Sequence, residues 1–512
     1  MKKVILVIGF VMSLLLVQAQ TRRQMGGVYC AYPFTEVETG KTLSIEKYED
    51  EDNLVLEGYT PFYISHYGRH GSRWMPHDDR YTWVNRHFED VSNLTPLGKR
   101  VRKILWRVWD NAQGNGGKLS KLGALQHRGI ANRMYQRFPP IFATGNRVTA
   151  RSSVVDRCAK SMLAFTDELH HLQPSLTMDV KTDSADMAWI AYTSPEEKAL
   201  ENRTKVTPKV STDRFMHLLF KDISKIDDPM KLMGEMQAIT SSIQDVGLNF
   251  KSYPKDIEEQ LNALFTDEEF RAFYEANNKR MTICNGDDLY NERIPMRSAV
   301  SLWHHIRDDA DRALASGKPS ADLRFGHDTN LYRLLTLLGA GYERVSEETG
   351  MFESSCDRYD YNRMDVVVPM ATNLQMIFYK KDVPDEAHPE KNIVVRLLYN
   401  EVNEAQIKGM EDVFYGSDVP SYDKNYFSWE EFKQYMESRI DKAEHVRLLH
   451  ALNTMVGTAQ ANTKTAGMFG KGSEEHGQTL PAVLVPNGQN SWTPQTQDTE
   501  KKCIAPYYYK DT

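Results

Sequence analysis

Cysteine is scarce in this sequence, and its five cysteines are far apart. Cys30, Cys158, Cys284, Cys356 and Cys503 never fall into the close CxxC spacing that structural zinc sites use. Their odd number allows at most two internal disulfides. We therefore expect free or partly paired thiols and no cysteine-ligated zinc site.

Strong charge of one sign and long apolar runs are also missing from the body of the chain. The formal net charge is -7 over 512 residues, which provides no field for collecting a polyanion such as nucleic acid. Beyond residue 20 no stretch is long and apolar enough to span a membrane. Hydrophobic residues make up 41% and charged residues 26%, as in ordinary globular proteins. We expect neither a nucleic-acid partner nor stable insertion into a membrane.

The first residues contain the one pronounced apolar run. Lys2 and Lys3 precede apolar residues 4–17, and Ala19 offers a small residue for cleavage. The run is shorter than the roughly 20 residues of a spanning helix. It therefore predicts a secretory signal peptide over residues 1–19 rather than a membrane anchor. We expect a periplasmic or secreted protein that is cleaved near Ala19.

The first half of the chain has an α/β pattern. The apolar segment 62–64 runs into a turn, and Thr95 followed by Pro96 predicts the start of a helix. Residues 122–138 repeat apolar side chains every three to four positions, which is typical of a second helix. A strand followed by helices favours an α/β layer.

Long charged stretches with a helical period begin at about residue 161. Strand patterns return at 366–381 and 392–401, and Ser428 with Glu431 forms a capping box that predicts a C-terminal helix. The predicted organisation is a first α/β core part at 20–160, a helical cap insertion at 161–294, a second core part with the C-terminal helix at 295–458, and an extended tail at 459–512.

The strongest local motif is Arg69-His70-Gly71-Ser72-Arg73, at the end of a predicted strand. Phosphoryl transfer needs a group that can accept the phosphoryl and cations for its three non-bridging oxygens. An imidazole supplies the first, and guanidiniums supply the second because their planar forks grip phosphate. Glycine lets the chain turn and a ligand approach. The alternative is an exposed turn rich in arginine and histidine.

Two further motifs indicate a catalytic site only when they are considered together with the first motif. His327 and Asp328 follow a short apolar strand, where a carboxyl group could protonate a departing alkoxide. An aspartate at a strand end is more often a turn former or a helix cap. Arg157 follows Arg151-Ser152-Ser153, where a turn passes into a helix and could aim a guanidinium at an anion. A surface ion pair is the alternative for this arginine.

In this order, RHGxR, RSSxxxR and HD, with a helical stretch between the last two, resemble the histidine acid phosphatases. These form the larger branch of the histidine phosphatase superfamily, which includes phytases and multiple inositol polyphosphate phosphatases. The segment LSKLGALQ is similar to the family's LTxxGxxQ, with Gly123 and Gln126 in matching places. The resemblance covers about residues 59–401. Two departures are one extra residue before Pro76, and HDT where the inositol polyphosphate phosphatases usually carry HAE.

The resemblance implies an α/β fold, with a mixed-sheet three-layer core and an inserted, mostly α-helical cap. It implies that His70 is the nucleophile and Asp328 the general acid. The implied phosphate-binding residues are Arg69, Arg73, Arg157 and His327. No cofactor is implied. In the predicted cap, charged residues that are candidates for extra phosphate contacts are Lys205, Lys209, Lys221 and Lys225.

The function implied is that of an exported phosphomonoesterase acting on a small-molecule phosphate ester, with inositol polyphosphates such as phytate expected first. Sugar-phosphate or bisphosphoglycerate phosphatases of the same family stay open as alternatives. A phosphotransferase or mutase would use intracellular metabolites, which the predicted export disfavours. A non-catalytic protein that binds a phosphorylated ligand is a further alternative, which the presence of both a nucleophile and an acid disfavours. The histidine pairs 170–171 and 304–305 lack a carboxylate at ligand spacing, so no metal site is expected.

Overall fold

The computed structural model describes residues 21–44, 56–339, 363–403 and 426–468. The predicted signal peptide and Cys356 and Cys503 lie outside these ranges. The chain forms two compact units, Met1–Ala443 and Glu444–Thr512, and the described residues of the second unit belong to the end of one helix. Within the described ranges, no helix combines the length and the apolar character that crossing a membrane requires.

The described residues contain eight strands and fourteen α-helices. The strands are β1 (Tyr59–Arg69), β2 (Arg147–Ser152), β3 (Thr177–Thr182), β4 (Ser320–Gly326), β5 (Asn373–Lys381), β6 (Ile393–Tyr399), β7 (Val402–Asn403) and β8 (Phe427–Ser428). The helices are α1 (Asp78–Arg86), α2 (Pro96–Ala112), α3 (Lys121–Arg137), α4 (Asp156–Leu172), α5 (Met187–Ile190), α6 (Pro195–Arg203), α7 (Asp213–Leu219), α8 (Pro229–Val246), α9 (Lys255–Asn262), α10 (Asp267–Asn285), α11 (Ile294–Ala315), α12 (Asp328–Leu337), α13 (Met364–Val367) and α14 (Trp429–Met468).

The described strands form one mixed sheet in the order β3-β2-β4-β1-β5-β6-β7, with β8 paired to β6. Strands β1 to β4 run parallel to their neighbours, and β5 runs antiparallel to β1. Arg69 at the end of β1 pairs with Gly326 at the end of β4, and Ser152 of β2 pairs with Phe325. The register therefore brings the three predicted motifs to one edge of the sheet.

Helices cover both faces of the sheet, and this confirms the predicted three-layer α/β core. On one face, Ile130 of α3 and Phe165 of α4 share a core with Ile64 of β1. On the other face, Trp303 of α11 packs in one cluster with Tyr63 of β1. Residues of β1 are buried consecutively instead of alternately, as expected for a central strand that is covered on both sides.

A further core joins the helices around the predicted cap. It contains Leu105 of α2, Phe215 of α7, Leu232 of α8 and Phe270 of α10, so a helix from outside range 161–294 shares the apolar core of the helices inside it. Within that range, β3 instead belongs to the main sheet. The sequence did not indicate β3 because it is a largely exposed edge strand with little apolar alternation. The domain limits themselves stay a prediction.

Two predicted boundaries in the second half are wrong. The strand predicted at 366–381 begins only at Asn373, and Met364–Val367 is a short helix. Pro369 lies between them, and a proline has no N–H to give to a strand ladder. The tail predicted as extended from residue 459 is helical up to Met468, because Ala, Gln and Lys favour a helix even without an apolar period. Residues 469–512 lie outside the described ranges.

The helix start predicted at Thr95 is confirmed, and a second cap of the same kind starts α3. The Thr95 hydroxyl accepts a hydrogen bond from the Gly98 N–H at 3.0 Å, ahead of α2. The Ser120 hydroxyl does the same for the Gly123 N–H at 3.1 Å, ahead of α3. Each bond satisfies one of the free N–H groups of a first helical turn. The second cap matters for function because it fixes α3 beside the loop that follows β1.

Candidate active site

His70 lies in the loop after β1, with 1% of its surface exposed. Its backbone N–H donates to Gly326 O at 3.0 Å, and its carbonyl accepts from the Ala371 N–H at 3.0 Å. The ring atom Nδ1 is 2.9 Å from Gly71 O. A carbonyl can only accept, so Nδ1 carries the ring proton and Nε2 keeps a free lone pair. That is the tautomer a nucleophilic histidine requires.

Arg69 is fully buried beside His70. Its Nη1 donates to the carbonyl of Val28 at 2.9 Å and to the carbonyl of Val368. Its Nη2 lies 3.0 Å from Asp328 Oδ2. These contacts hold the guanidinium from three separate chain segments, so its position does not depend on the loop alone.

All three predicted arginines keep a buried donor without a partner. In the described structure, the Nε atoms of Arg69, Arg73 and Arg157 have no hydrogen-bond acceptor. Buried polar groups in native proteins are nearly always paired, and guanidinium N–H groups form strong bonds to phosphate oxygens. These donors are therefore available to an anion that binds beside the three arginines.

The surroundings of His70 keep its imidazole neutral. Burial lowers the pKa of His70 well below its ordinary value of 6.5, and the positive charges of Arg69, Arg157 and Arg73, together with His327, lower it further. Both causes disfavour the imidazolium form. A neutral ring is available for attack even under acidic conditions.

His327 and Asp328 lie opposite this loop, at the end of β4 and the start of α12. The rings of His70 and His327 have centroids 5.8 Å apart, and Ser153 Oγ is 3.1 Å from His327 Nε2. Burial, followed by the charge of Arg157, lowers the pKa of His327 to about 4. The structure thus brings together all six residues that the sequence predicts, whereas their chemical roles stay predictions.

Asp328 is a carboxylate in this arrangement. Burial by itself would raise its pKa, but Arg69, Arg73 and His327 outweigh burial and keep the pKa below its ordinary value of 3.8. The Thr329 N–H also donates to Asp328 Oδ1 at 3.0 Å. A negative charge that offsets these arginines would raise the pKa of Asp328.

Ser72, in the middle of the motif, is held by a network that sequence reasoning missed. Its N–H donates to Gln126 Oε1 at 2.8 Å, and its hydroxyl accepts from Gln126 Nε2 at 2.9 Å. Its carbonyl accepts from the Ser120 hydroxyl at 2.9 Å. Its own hydroxyl donates to Asp245 Oδ1 at 2.6 Å. Every polar atom of Ser72 is thus paired, which fixes the loop between His70 and Arg73.

The two glycines of these motifs serve packing. A Cβ on Gly71 would lie 2.4 Å from the Gly123 carbonyl oxygen, and a Cβ on Gly123 would lie 2.2 Å from the Ser72 carbonyl oxygen. Neither glycine has a positive φ. Gly71 therefore lets the loop rest directly on α3, which corrects the expectation that it serves the turn itself.

Asp245 contacts the loop between His70 and Arg73, although no sequence motif indicated it. It lies near the end of α8, in the polar run SSIQDV, and is fully buried. Burial raises its pKa to about 8, although Ser72, Arg73 and Arg69 all oppose the rise. Its second oxygen, Oδ2, has no hydrogen-bond partner among the described residues. A single aspartate in a helix has no sequence signature that could have singled it out.

Other polar candidates lie in structural contacts. Arg151 forms an ion pair with Asp179 at 2.7 Å, so its neighbour Arg157 alone joins the site from this motif. Lys221 donates to Ser92 O at 2.6 Å, and Lys225 pairs with Asp90 at 3.8 Å. In the described part of the chain, no group of three or more His, Cys, Asp or Glu side chains could hold a metal ion.

The site therefore consists of a buried, neutral histidine among guanidiniums, at the end of a central strand of an α/β core. The family model described as "Histidine phosphatase superfamily (branch 2)" matches residues 69–400. The chain belongs to this family.

Named relatives agree with this assignment. The chain is 22% identical over 332 residues to "Multiple inositol polyphosphate phosphatase 1" of Gallus gallus, covering 62% of this chain and 71% of that protein. The multiple inositol polyphosphate phosphatase of Bifidobacterium longum, in complex with inositol hexasulfate, superposes with a TM-score of 0.57 at 16% identity, covering 81% of this chain and 97% of the other. The phytase of D. castellii gives 0.53 at 12% identity, covering 82% and 85%. At these identities the two structures confirm the fold.

Proposed function

We propose that this protein is an exported phosphomonoesterase that hydrolyses inositol polyphosphates through a phosphohistidine on His70. The observation that carries the proposal is the free Nε2 of a buried, neutral His70, surrounded by arginine donors that lack acceptors. A phosphate ester satisfies those donors and brings its phosphorus to the nucleophile. Together, Arg69, Arg73 and Arg157 form a phosphate clamp. Such a clamp stabilises the negative charge that spreads over the equatorial oxygens of the phosphoryl group during its transfer.

The first chemical step transfers the phosphoryl group to the enzyme. The lone pair of His70 Nε2 forms a bond to phosphorus, and the bond between phosphorus and the ester oxygen breaks. Asp328 gives a proton to that oxygen, so the alcohol leaves neutral. In the second step water attacks the phosphohistidine, Asp328 takes a proton from the water, and inorganic phosphate and neutral His70 are regenerated.

The ion pair between Asp328 and Arg69 means that the acid must first obtain its proton. A monoanionic phosphate ester carries one proton of its own, because the second pKa of a phosphate monoester is about 6. Its negative charge also offsets Arg69 and Arg73, whose charges hold the Asp328 pKa down. Substrate binding therefore both delivers the proton and raises the affinity of Asp328 for it. Activity should consequently favour acidic pH.

Two observations support inositol polyphosphates as the substrate class. The Gallus gallus and Bifidobacterium longum relatives carry the name multiple inositol polyphosphate phosphatase, and the latter was solved with inositol hexasulfate. Export is supported by the apolar run that follows Lys2 and Lys3. An exported phosphatase of this kind would release phosphate from inositol phosphates outside the cytoplasm.

The test is a phosphate-release screen on the purified protein. Phytate, partly phosphorylated inositols, sugar phosphates and bisphosphoglycerate are compared between pH 3 and pH 8, a range of about two units or more on each side of the ester's second pKa. We expect the highest rate on phytate, no release by His70→Ala, and full release by His388→Ala, whose side chain is exposed. Full activity of His70→Ala would refute the mechanism. A preference for a sugar phosphate would refute only the substrate.

A further inference from the structure

We propose that the N-terminal segment at residues 24–32 is part of the phosphate site and that Tyr29 is a positioning residue for Arg73. This inference rests on the proposed function, because it concerns how the phosphate clamp is held. The match to the family model begins at residue 69, so the segment lies upstream of the matched region.

The segment reaches the first arginine through its backbone. The carbonyl of Val28 accepts a hydrogen bond of 2.9 Å from Arg69 Nη1. Arg69 is fully buried, and its Nη1 would otherwise depend on the Val368 carbonyl alone. A buried guanidinium is costly unless its donors are paired. The Val28 carbonyl therefore helps to keep Arg69 in place while its Nε stays free for an anion.

Gly27 sets the direction of that carbonyl. Its backbone angles are φ 59° and ψ -117°, a combination that side chains with a Cβ rarely adopt. A Cβ placed there would meet no atom closer than 3.7 Å, so the requirement for glycine is one of backbone conformation and not of space. The turn at Gly27 is what lets Val28 and Tyr29 face the two arginines in succession.

Tyr29 contacts the second arginine through its ring. The Arg73 guanidinium carbon lies 5.4 Å from the centroid of the Tyr29 ring, and only 9% of Tyr29 is exposed. Such a cation–π contact attracts the guanidinium without occupying any of its N–H groups. Arg73 thus gains a fixed position and keeps its Nε donor for phosphate, which a carboxylate partner would instead have occupied.

Tyr29 is itself held by Arg80, which is paired with Glu235 of α8. Its hydroxyl accepts from Arg80 Nη1 at 3.1 Å, and Arg80 Nε is 2.7 Å from Glu235 of α8. A chain of contacts therefore runs from α8 through Arg80 and Tyr29 to Arg73. The position of the clamp depends on this chain and not only on the loop that carries Arg73.

The rest of the segment is docked independently of Tyr29. The Met370 N–H donates to Cys30 O at 2.8 Å, the Ala31 N–H donates to Gln244 Oε1 at 3.1 Å, and the Tyr32 hydroxyl donates to Glu401 Oε2 at 2.8 Å. These buried bonds should keep the segment in place when the Tyr29 ring is replaced. An effect of such a change on phosphate binding can then be attributed to Arg73.

The first experiment compares Tyr29→Leu with Tyr29→Phe in the full-length protein. The affinity for inorganic phosphate is measured by calorimetry, and kcat and KM are measured on an aryl phosphate. We expect Tyr29→Leu to weaken phosphate binding and raise KM about tenfold, as for loss of a desolvated cation–π contact, with kcat much less affected. Tyr29→Phe keeps the ring beside Arg73 but loses the hydroxyl that accepts from Arg80, so its phosphate affinity should fall less than that of Tyr29→Leu. Unchanged phosphate affinity in Tyr29→Leu overturns the inference.

The second experiment tests the backbone. Gly27→Ala should weaken phosphate binding, whereas Gly317→Ala should not. Gly317 also has a positive φ, of 70°, and open space around it, so it is a control for replacing a positive-φ glycine away from the site. If Tyr29→Leu fails to fold, this pair still decides: equal phosphate affinity of both glycine variants overturns the inference. A wild-type protein that neither binds phosphate nor releases it from any ester refutes the proposed function instead.

Discussion

Asp328 and Arg69 form an ion pair in which Oδ2 and Nη2 are 3.0 Å apart. Asp328, the proposed acid, and Arg69, a proposed phosphate-binding residue, are therefore paired with each other in the absence of substrate. Because the same guanidinium lowers the pKa of Asp328, a phosphate that binds Arg69 acts directly on the acid. In the proposed mechanism, phosphate binding and proton transfer are therefore coupled through this one contact.

Asp328→Asn should slow the hydrolysis of esters with poor leaving groups more than that of esters with good leaving groups. Without a proton donor, an alkyl phosphate such as phytate should be hydrolysed about 10²- to 10⁴-fold more slowly. An aryl phosphate with a good leaving group needs less protonation and should lose much less in kcat. Steady-state kinetics on both esters measure this difference. Equal losses on both would show that Asp328 acts through Arg69 alone.

Arg157→Gln should move the acid limb of the pH profile. The Arg157 charge is the third cause, after burial and Arg69, of the low pKa of His70. Its removal lets that pKa rise toward 6.5, so His70 becomes protonated at a higher pH and kcat/KM falls earlier on the acid side. The matched control is Arg151→Gln, since Arg151 is paired with Asp179. An acid limb that stays in place in Arg157→Gln would contradict this electrostatic role.

Asp245→Asn should make stability less dependent on pH. The folded pKa of Asp245 is raised from 3.8 to about 8, so its contribution to stability is present below the unfolded pKa and is lost as pH rises to about 8. The asparagine keeps an acceptor for the Ser72 hydroxyl and removes that loss. Urea unfolding at pH 5 and pH 8 should show a smaller difference for the variant than for the wild type. A larger difference would contradict the assignment.

Ser72→Ala is the companion change on the loop. It leaves Asp245 Oδ1 and Gln126 Nε2 without their partner, which costs about 1–3 kcal/mol for each buried group. We expect lower stability together with a fall in kcat/KM, because the loop between His70 and Arg73 loses its anchor. Chemical denaturation and steady-state kinetics measure the two effects. Wild-type kinetics in a folded Ser72→Ala protein would show that the anchor is not needed for catalysis.

Two buried histidines, His66 on β1 and His127 on α3, should limit stability in acid. Burial lowers the pKa of each from 6.5 to about 3, and neither ring nitrogen of His66 has a hydrogen-bond partner in the described structure. Both rings stay neutral when folded, so stability is lost as pH falls from 6.5 toward 3, by up to about 1.4 kcal/mol per pH unit for each ring.

His127→Leu should reduce that loss, and His388→Leu, at an exposed position, should not. The midpoint of acid unfolding, followed by circular dichroism, measures the change. The test bears on function because the proposed activity favours acidic pH. An unchanged midpoint in a folded His127→Leu protein would show that other groups control acid unfolding.

Part of the site was predictable because its chemistry is local. The RHGSR and HD segments each sit where a strand ends, and the parallel pairing of Arg69 with Gly326 puts their side chains together by geometry alone. The helix start at Thr95 was predictable for the same reason, since a cap involves residues three positions apart.

The sequence by itself thus determined the family, the α/β class and the residues that meet at the sheet edge. Tertiary structure alone decided the rest: that Asp245 holds Ser72 across 173 positions of the chain, and that Val28 and Tyr29 contact Arg69 and Arg73. These contacts join residues far apart in the chain. Their formation depends on packing of the whole core, and no local pattern of residue types records it.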